Sequence, residues 1–480
     1  MRHRRVLAPA LATLVVVGEF AGASGCSSEL ESPFDASTGG ADVDAARVDG
    51  TVVPPGEAGA IDARDARGDA ENDASLDGTM SDTGVDADTG VTDASFTDAA
   101  EGGGPDAGDT GSPWFDIYDP NSIPTIELTF DAAAMAILSN PSTIEADQKK
   151  WAHGSFKCGN VVIADVGVRR KGSSTFRALP QKAAFKIRFD KYVAGQRFLG
   201  LTDLTLNNSM SDPTFIAERL AYHTFRSVGL PAQRANSAEV VINGAPYGLY
   251  VNVETPNQDF LRRAFVLTGR SLYEVNYGSQ WLPGVEDGFD ENVGDGTKSD
   301  VTALLQAVQA ASDATLLVDV ASHLDTNEWL DFSATEAAVG HYDGYAYGVW
   351  GSHNYFMAAN GAGVFSLVPW STDLTFSDRQ TVVNANVPQN TSGGGPTLLG
   401  RCKATTTCWA TYKTRVQAIL AKFETLDLVN LAKAWHAQVD AHVVADPKRE
   451  APLPYYDSET AKLYTWIAAR PSVVRAQLGL

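Results

Sequence analysis

His341-Tyr342-Asp343-Gly344-Tyr345, Ser352-His353-Asn354-Tyr355 and Val368-Pro369-Trp370-Ser371-Thr372-Asp373 follow one another in that order. Asp343, Asn354 and Asp373 are the residue types that Mg2+-dependent phosphoryl transfer requires: one carboxylate orients the attacking hydroxyl, while an amide and a second carboxylate hold the metal on the phosphates. Mg2+ takes hard oxygen ligands, few of them from protein, which suits an Asn/Asp pair. Between the second and third clusters, Tyr355 to Ala359 and Val364 to Val368 read as two strands turned at Asn360-Gly361. An Asp-Gly pair by itself more often marks a turn, so the weight rests on what accompanies it.

Toward the N-terminus the chain is rich in strands. Ile126-Glu127-Leu128-Thr129-Phe130 alternates as a strand and leads into a short helix from Asp131 to Leu138. Phe156 to Arg170 reads as a hairpin around Gly159-Asn160, and Ala184 to Phe189 alternates, with Lys186 and Arg188 opposite Phe185, Ile187 and Phe189. Leu204-Thr205-Leu206 is a short buried strand. Asp212 is placed to cap a helix with Pro213 in its first turn and Gly229 as its stop. Glu239 to Glu254 predicts two strands joined at Asn243-Gly244. Helices are predicted over 299–311, 313–324 and 326–340, and again from Trp409 to Leu480, with Trp435, Tyr464 and Trp466 as core anchors. Strands first and helices after make an α+β plan, a sheet-rich part and a helical part with a cleft between them.

Further polar clusters accompany the first. Lys171-Gly172-Ser173-Ser174-Thr175, followed by Pro180, Lys182 and Lys186, combines a Gly–Ser turn with lysines; such a turn can offer N–H groups and hydroxyls to an anion, or simply reverse the chain. Asn207, Asn208 and Glu254 end apolar strands and serve either as caps of loop backbone or as part of a site. Glu286-Asp287-Gly288-Phe289-Asp290-Glu291 reads as a solvated polar loop, with a hydrolase site or a Ca2+ loop as the weaker alternatives.

Taken together, Lys171-Gly172-Ser173-Ser174-Thr175, Phe185-Lys186-Ile187-Arg188-Phe189, Phe198-Leu199-Gly200-Leu201, Leu206-Asn207-Asn208, Val241-Ile242-Asn243-Gly244, Val253-Glu254, Asp343-Gly344-Tyr345, His353-Asn354-Tyr355 and Pro369-Trp370 with Asp373 resemble the spore-coat protein H (CotH) kinase family. The resemblance runs from about Ile123 to Leu480. It implies a reduced, atypical protein-kinase-like two-lobed fold and ATP-dependent phosphorylation of serines. It implies Asp343 as the catalytic carboxylate, and Asn354 and Asp373 as metal-side residues. Lys186 or Lys182 would lie on the nucleotide phosphates beside the Gly172-Ser173-Ser174 turn, with Lys186 preferred because it stands opposite the apolar face of its strand. Glu254 would pair with that lysine. ATP with Mg2+ is the implied cofactor set, Ca2+ or Mn2+ being alternatives. The chain departs from the pattern at Ser371, where the family has the first Asp of Trp-Asp-x-Asp, and at Lys171 and Ser173, where it has Arg and Asn. The expected activity is therefore surface-tethered Ser/Thr phosphotransfer to an exported or envelope protein; the alternative is a catalytically inactive surface adhesion or binding lipoprotein.

The N-terminal part supports the tether. Arg2, Arg4 and Arg5, an apolar run from Val6 to about Val17, and Ala23-Ser24-Gly25-Cys26 read as a secretory signal (1–25) with a lipobox, so Cys26 is expected to carry lipid. Residues 26–112 are rich in Asp, Ala and Gly; 21 acidic against 3 basic residues between Glu29 and Asp109 account for most of the formal charge of −22. Such composition cannot bury enough apolar surface to order itself, so an acidic disordered linker is expected before a folded domain over 113–480. The protein is expected to be exported and lipid-anchored to the envelope, at the outer membrane or cell surface. An exported Ser/Thr protein and the membrane are its expected partners; no nucleic acid is expected, and oligomeric state stays open. No CxxC pair and no HExxH occurs, which argues against a zinc ribbon or a zincin. In an oxidising setting Cys402 and Cys408 can close a small loop, leaving Cys158 as a buried thiol.

Overall fold

The computed structural model describes residues 116–480 except 143, 266–270, 277–280, 349–350, 380–381, 389 and 392–394. The expected signal peptide, the expected lipid site at Cys26 and the expected acidic linker fall on residues 1–115, outside the described residues.

The N-terminal half is a barrel. Its strands are β1 (Thr125–Thr129), β2 (Ala152–Cys158), β3 (Val161–Lys171), β4 (Ala184–Arg188), β5 (Asp203–Asn207), β6 (Ala235–Ile242) and β7 (Ala245–Val253), closed in the order β1-β2-β3-β4-β5-β7-β6. All pairings are antiparallel except β1 with β6, the parallel seam that closes the ring. The alternation read from sequence is the reason for the inside and outside of this ring. Phe185, Ile187 and Phe189 are fully buried with Leu204 and Leu206 in the barrel core, while Lys186 stays half-buried on the other face; each such apolar side chain contributes roughly 1.5–3 kcal/mol by leaving water. Helices α1 (Ala132–Leu138), capped by Asp131, and α2 (Glu145–Gln148) lie in the β1–β2 connection.

Helix α3 (Ala217–Ser227) begins later than its sequence suggests. Asp212 does not cap a helix starting at Pro213. Its Oδ1 instead accepts from Thr214 N and Oγ1, at 2.9 and 2.6 Å, and its Oδ2 reaches Glu218 N at 3.2 Å. One carboxylate thus organises the turn and still satisfies a first-turn N–H group of the helix.

Beyond the barrel come α4 (Gln258–Ala264), β8 (Ser271–Val275), β9 (Phe289–Val293), α5 (Ser299–Ala310), α6 (Leu316–Asp319), α7 (Thr326–Val339), β10 (Tyr355–Ala359), β11 (Phe365–Pro369), α8 (Leu398–Ala404), α9 (Thr406–Thr425), α10 (Leu428–Ala445) and α11 (Leu453–Leu478). A four-stranded sheet in the order β11-β10-β8-β9 forms here. Its outer strand β9 includes Asp290 and Glu291, part of the segment read as a polar loop: an edge strand tolerates charge because one face stays in water. The helix expected over 313–324 is only the single turn of α6. The largest apolar core runs from Tyr222 and Phe225 of α3 through Trp329, Phe332 and Tyr345 to Tyr412 and Tyr456. Trp435 is buried as expected, whereas Tyr464 and Trp466 are partly exposed. Cys402 and Cys408 form a disulfide joining α8 to α9; the buried Cys158 is a free thiol whose pKa burial pushes up to about 12. The folded part is thus α+β, sheet-rich first and helical after.

Candidate active site

The β10–β11 hairpin sets Asn354 beside Trp370, at the start of the segment that leads to Asp373. Tyr355 pairs with Pro369, so the residues just outside the ladder, Asn354 and Trp370, face each other, and Trp370 N donates to Asn354 O at 3.0 Å. Asn354 and Ser371 both take left-handed backbone conformations (φ 55° and 48°), which turn the chain out of the sheet at matching ends. Asn354 Nδ2 donates to Asp343 O and Oδ2 at 2.8 and 2.9 Å, leaving the amide oxygen as the atom with which it could bind a cation. Ser371 Oγ donates to Asp373 Oδ1 at 3.1 Å.

Asp343 is held from both sides. His353 Nε2 lies 2.7 Å from Asp343 Oδ1, and the other ring nitrogen is 2.7 Å from Gly351 O. Two acceptors facing one imidazole favour the doubly protonated ring: burial works against the charge, but Asp343 and the Gly351 carbonyl outweigh it, and the His353 pKa is raised. The loop carrying Asp343 is built around a buried carboxylate, Glu336 of α7, which accepts from Tyr345 N at 2.9 Å and Ala346 N at 2.5 Å and lies 3.1 Å from His341 Nδ1. Gly344 is required there, since a Cβ would stand 2.2 Å from Glu336 Oε1.

The lysine that reaches this cluster is Lys171, at the end of β3. Its ammonium donates to Asn207 Oδ1 and lies 5.4 Å from the Trp370 ring. Asn207 Nδ2 in turn donates to Glu218 Oε1 at 2.6 Å. Burial lowers the Lys171 pKa, opposed by Glu218, Asp373 and Glu274. Burial raises Glu218, helped by Asp373 and opposed by Lys171; Asp373 is raised by burial and by the charge of Asp343. Glu218 Oε2 is buried without a hydrogen-bond partner. Sequence reading set Lys171 in the Gly–Ser turn cluster but gave the nucleotide phosphates to Lys186 or Lys182, and it gave Glu218 no role. The signals were there: a lysine immediately before a Gly–Ser turn, and an acid in the first turn of a helix that buries most of its residues.

The other expected residues are placed differently. Lys182 is 2% exposed, its ammonium 2.5 Å from Asp446 Oδ2 and 4.7 and 5.3 Å from the rings of Phe215 and Tyr250. It is committed to joining the barrel to the end of α10 rather than to a phosphate. Lys186 lies 3.7 Å from Asp203 and, with Lys171, opposes the burial-raised pKa of Glu274 on β8. Glu254 does not pair with Lys186. It is 2% exposed and gripped by Arg263 Nη2 at 2.6 Å, Arg234 Nη2 at 3.0 Å and Arg234 N at 2.9 Å. Gly172, Ser173 and Ser174 form an exposed turn after β3, with Phe176 N donating to Ser173 O at 3.1 Å. Gly172 has φ 108°, and a Cβ there would meet Thr175 Oγ1 at 2.8 Å.

Among the described residues no three His, Cys, Asp or Glu side chains gather closely enough to hold a metal alone. The donor types of Asp373 and the Asn354 amide oxygen nevertheless suit a hard cation that takes its remaining ligands from phosphate and water. Burial first, and then repulsion from a neighbouring carboxylate, raises the pKa values of Asp373 and Glu218, and Glu218 Oε2 is buried without a hydrogen-bond partner.

Comparison with known proteins points the same way. The profile of the family described as CotH kinase protein matches residues 168–474. The inner spore coat protein H of Bacillus subtilis (strain 168) is 21% identical over 303 residues, covering 59% of this chain and 80% of that protein. An inner spore coat protein H-like protein of the same organism is 36% identical over 80 residues, 17% of this chain and 24% of that one. Among solved structures, the Helicobacter pylori proinflammatory kinase CtkA aligns with TM-score 0.28 and 11% identity, covering 62% of this chain and 94% of that one, a likeness too slight to support inference.

Proposed function

The chain belongs to the CotH kinase protein family, and from that premise we propose that it is an envelope-tethered phosphotransferase moving the γ-phosphoryl group of Mg-ATP to a Ser or Thr hydroxyl of an exported protein. One observation supports this reading: Asn354 donates to Asp343 at 2.9 Å, and the charges of Asp343, Asp373, Glu218 and Lys171 act on one another. Lys171 would sit on the nucleotide phosphates. Asn354 and Asp373 would hold Mg2+, which neutralises phosphate charge as it moves toward the leaving group. Asp343, oriented by His353 and Asn354, would receive the proton of the acceptor hydroxyl as its oxygen bonds phosphorus and the bond to ADP breaks. Lipid at Cys26 and the acidic linker would place this domain at a membrane surface, within reach of envelope proteins.

A second reading, a catalytically silent binding module, is favoured by Ser371 standing where the family has an acid. Mg-ATP titration of the full chain separates the two. A melting temperature raised by ATP only with divalent metal, and 32P transfer to envelope protein, support the enzyme; a melting temperature unmoved by ATP under Mg2+, Mn2+ and Ca2+ removes it.

A further inference from the structure

A cavity of about 760 Å3 lies behind the Asp373 loop, between the turn leading into α3, residues 375–379 and α11. Phe376, Leu463, Trp466 and Val473 give it apolar walls, and Asp212 and Arg379 stand at its polar side. Asp212, fully buried, belongs to this wall and to the site at once, since its charge acts on both Glu218 and Asp373. Thr375 of the lining donates to Thr372 O at 2.8 Å, beside Asp373, on whose carboxyl the charge of Asp343 acts. None of Lys171, Lys186 and Ser173 lines it; the cavity lies apart from the groups assigned to the nucleotide.

Most of its charged groups are already engaged, Asp378 standing exposed at its edge. Arg379 lies 3.4 Å and Lys462 2.7 Å from Glu459, Arg470 donates to Ala337 O and Val383 O, and Asp212 accepts backbone N–H groups. What is left to a ligand, Asp378 and a few hydroxyls aside, is apolar, in a space within the ordinary range of binding pockets, roughly 300–1,000 Å3. Val473, on its wall, is 37% exposed, and Tyr455, one turn before Ser458 of the lining, is 44% exposed. Apolar surface therefore continues outward along α11.

We infer that this cavity receives an aromatic or large aliphatic side chain of the acceptor protein and so fixes the segment whose hydroxyl meets Asp343; the inference rests on the phosphotransferase reading above. Removing such a side chain leaves an apolar pocket unfilled, which discriminates substrates by about tenfold or more.

The test is phosphorylation by the full chain, with Mg-ATP, of degenerate Ser- and Thr-centred peptides that fix one residue type at one position. Wild type is expected to prefer an aromatic or aliphatic residue at one fixed offset by about tenfold or more in kcat/KM. Ala469→Trp and Ala461→Trp, at exposed positions on the cavity lining, should erase the preference by raising KM for the peptide while KM for ATP stays put. Turnover without an apolar preference, or a preference that survives in both folded variants, overturns the cavity assignment alone. Absence of transfer to every peptide and to envelope protein by wild type overturns the phosphotransferase reading and the cavity assignment together.

Discussion

Lys171 and Glu218 are joined by one amide: the lysine donates to Asn207 Oδ1, and Asn207 Nδ2 donates to Glu218 Oε1 at 2.6 Å. The spacer keeps a cation and an anion in each other's field while leaving Glu218 Oε2 without a partner. An ammonium and a carboxylate held this way are ready to exchange part of their mutual attraction for a phosphate.

Lys171→Met should therefore lower kcat/KM for phosphotransfer by on the order of 10²–10³, the loss expected when a preorganised charge is removed from a reacting centre. Lys186→Met, removing a lysine that lies against Asp203, should cost no more than about tenfold by the same standard. Steady-state kinetics on both variants decides which lysine serves the nucleotide.

Asp343→Asn and Asp373→Asn should separate chemistry from binding. Both abolish transfer, but Asp343→Asn keeps the Mg2+-dependent rise in melting temperature with ATP and Asp373→Asn loses it. Ser371→Asp restores the acid that the family carries. At its left-handed backbone position Asp is among the better tolerated residues, and the variant should bind Mg-ATP more tightly by thermal titration.

Lys182 and Asp446 form a buried pair, so removing one partner leaves an uncompensated charge. Asp446→Asn should destabilise by about 3–5 kcal/mol, and Lys182→Met should also lower the melting temperature, with KM for ATP unchanged in whatever fraction stays folded. A Lys182→Met protein with native stability and a raised KM for ATP would return this lysine to the nucleotide.

Glu254 couples stability to acid. Burial pushes its pKa up, but Arg263 and Arg234 outweigh burial and hold it below 4.5. The unfolded chain then binds the proton more readily, so the stabilisation is complete above about 4.5 and is lost as pH falls through the lower folded value. Urea melts between pH 3 and 6 should show this slope in the wild type, and a shallower slope over the acid end in Glu254→Gln.

The Cys402–Cys408 bridge closes a short loop, with a sequence separation of 6. Loop-closure entropy for so few residues corresponds to about 2 kcal/mol, so reduction or Cys402→Ser should lower the melting temperature by a few degrees without touching KM for ATP.

Much of the architecture was legible from local pattern. The Gly159-Asn160, Asn243-Gly244 and Asn360-Gly361 turns stand between the strands they were expected to join, and Gly340 ends α7 in a left-handed conformation. Asp131 caps α1 through Ala134 N. These preferences act between residues a few positions apart, so a sequence displays them directly. Strands β8 and β9 were not legible, because they are short and one carries charge along a sheet edge.

The partners of the charged side chains were a different matter. Lys171, Lys182 and Lys186 are near neighbours with the same chemistry, and nothing local tells them apart. What separates them is which distant group arrives: Glu218 and Asp373 at the first, Asp446 at the second, Asp203 and Glu274 at the third. Residue order alone determined the fold class and the turns, and it singled out Asp343, Asn354 and Asp373 as candidates. Only closure of the barrel and its packing against the helices decided which lysine faces them, since a Coulombic partner is chosen by distance through space and not by distance along the chain.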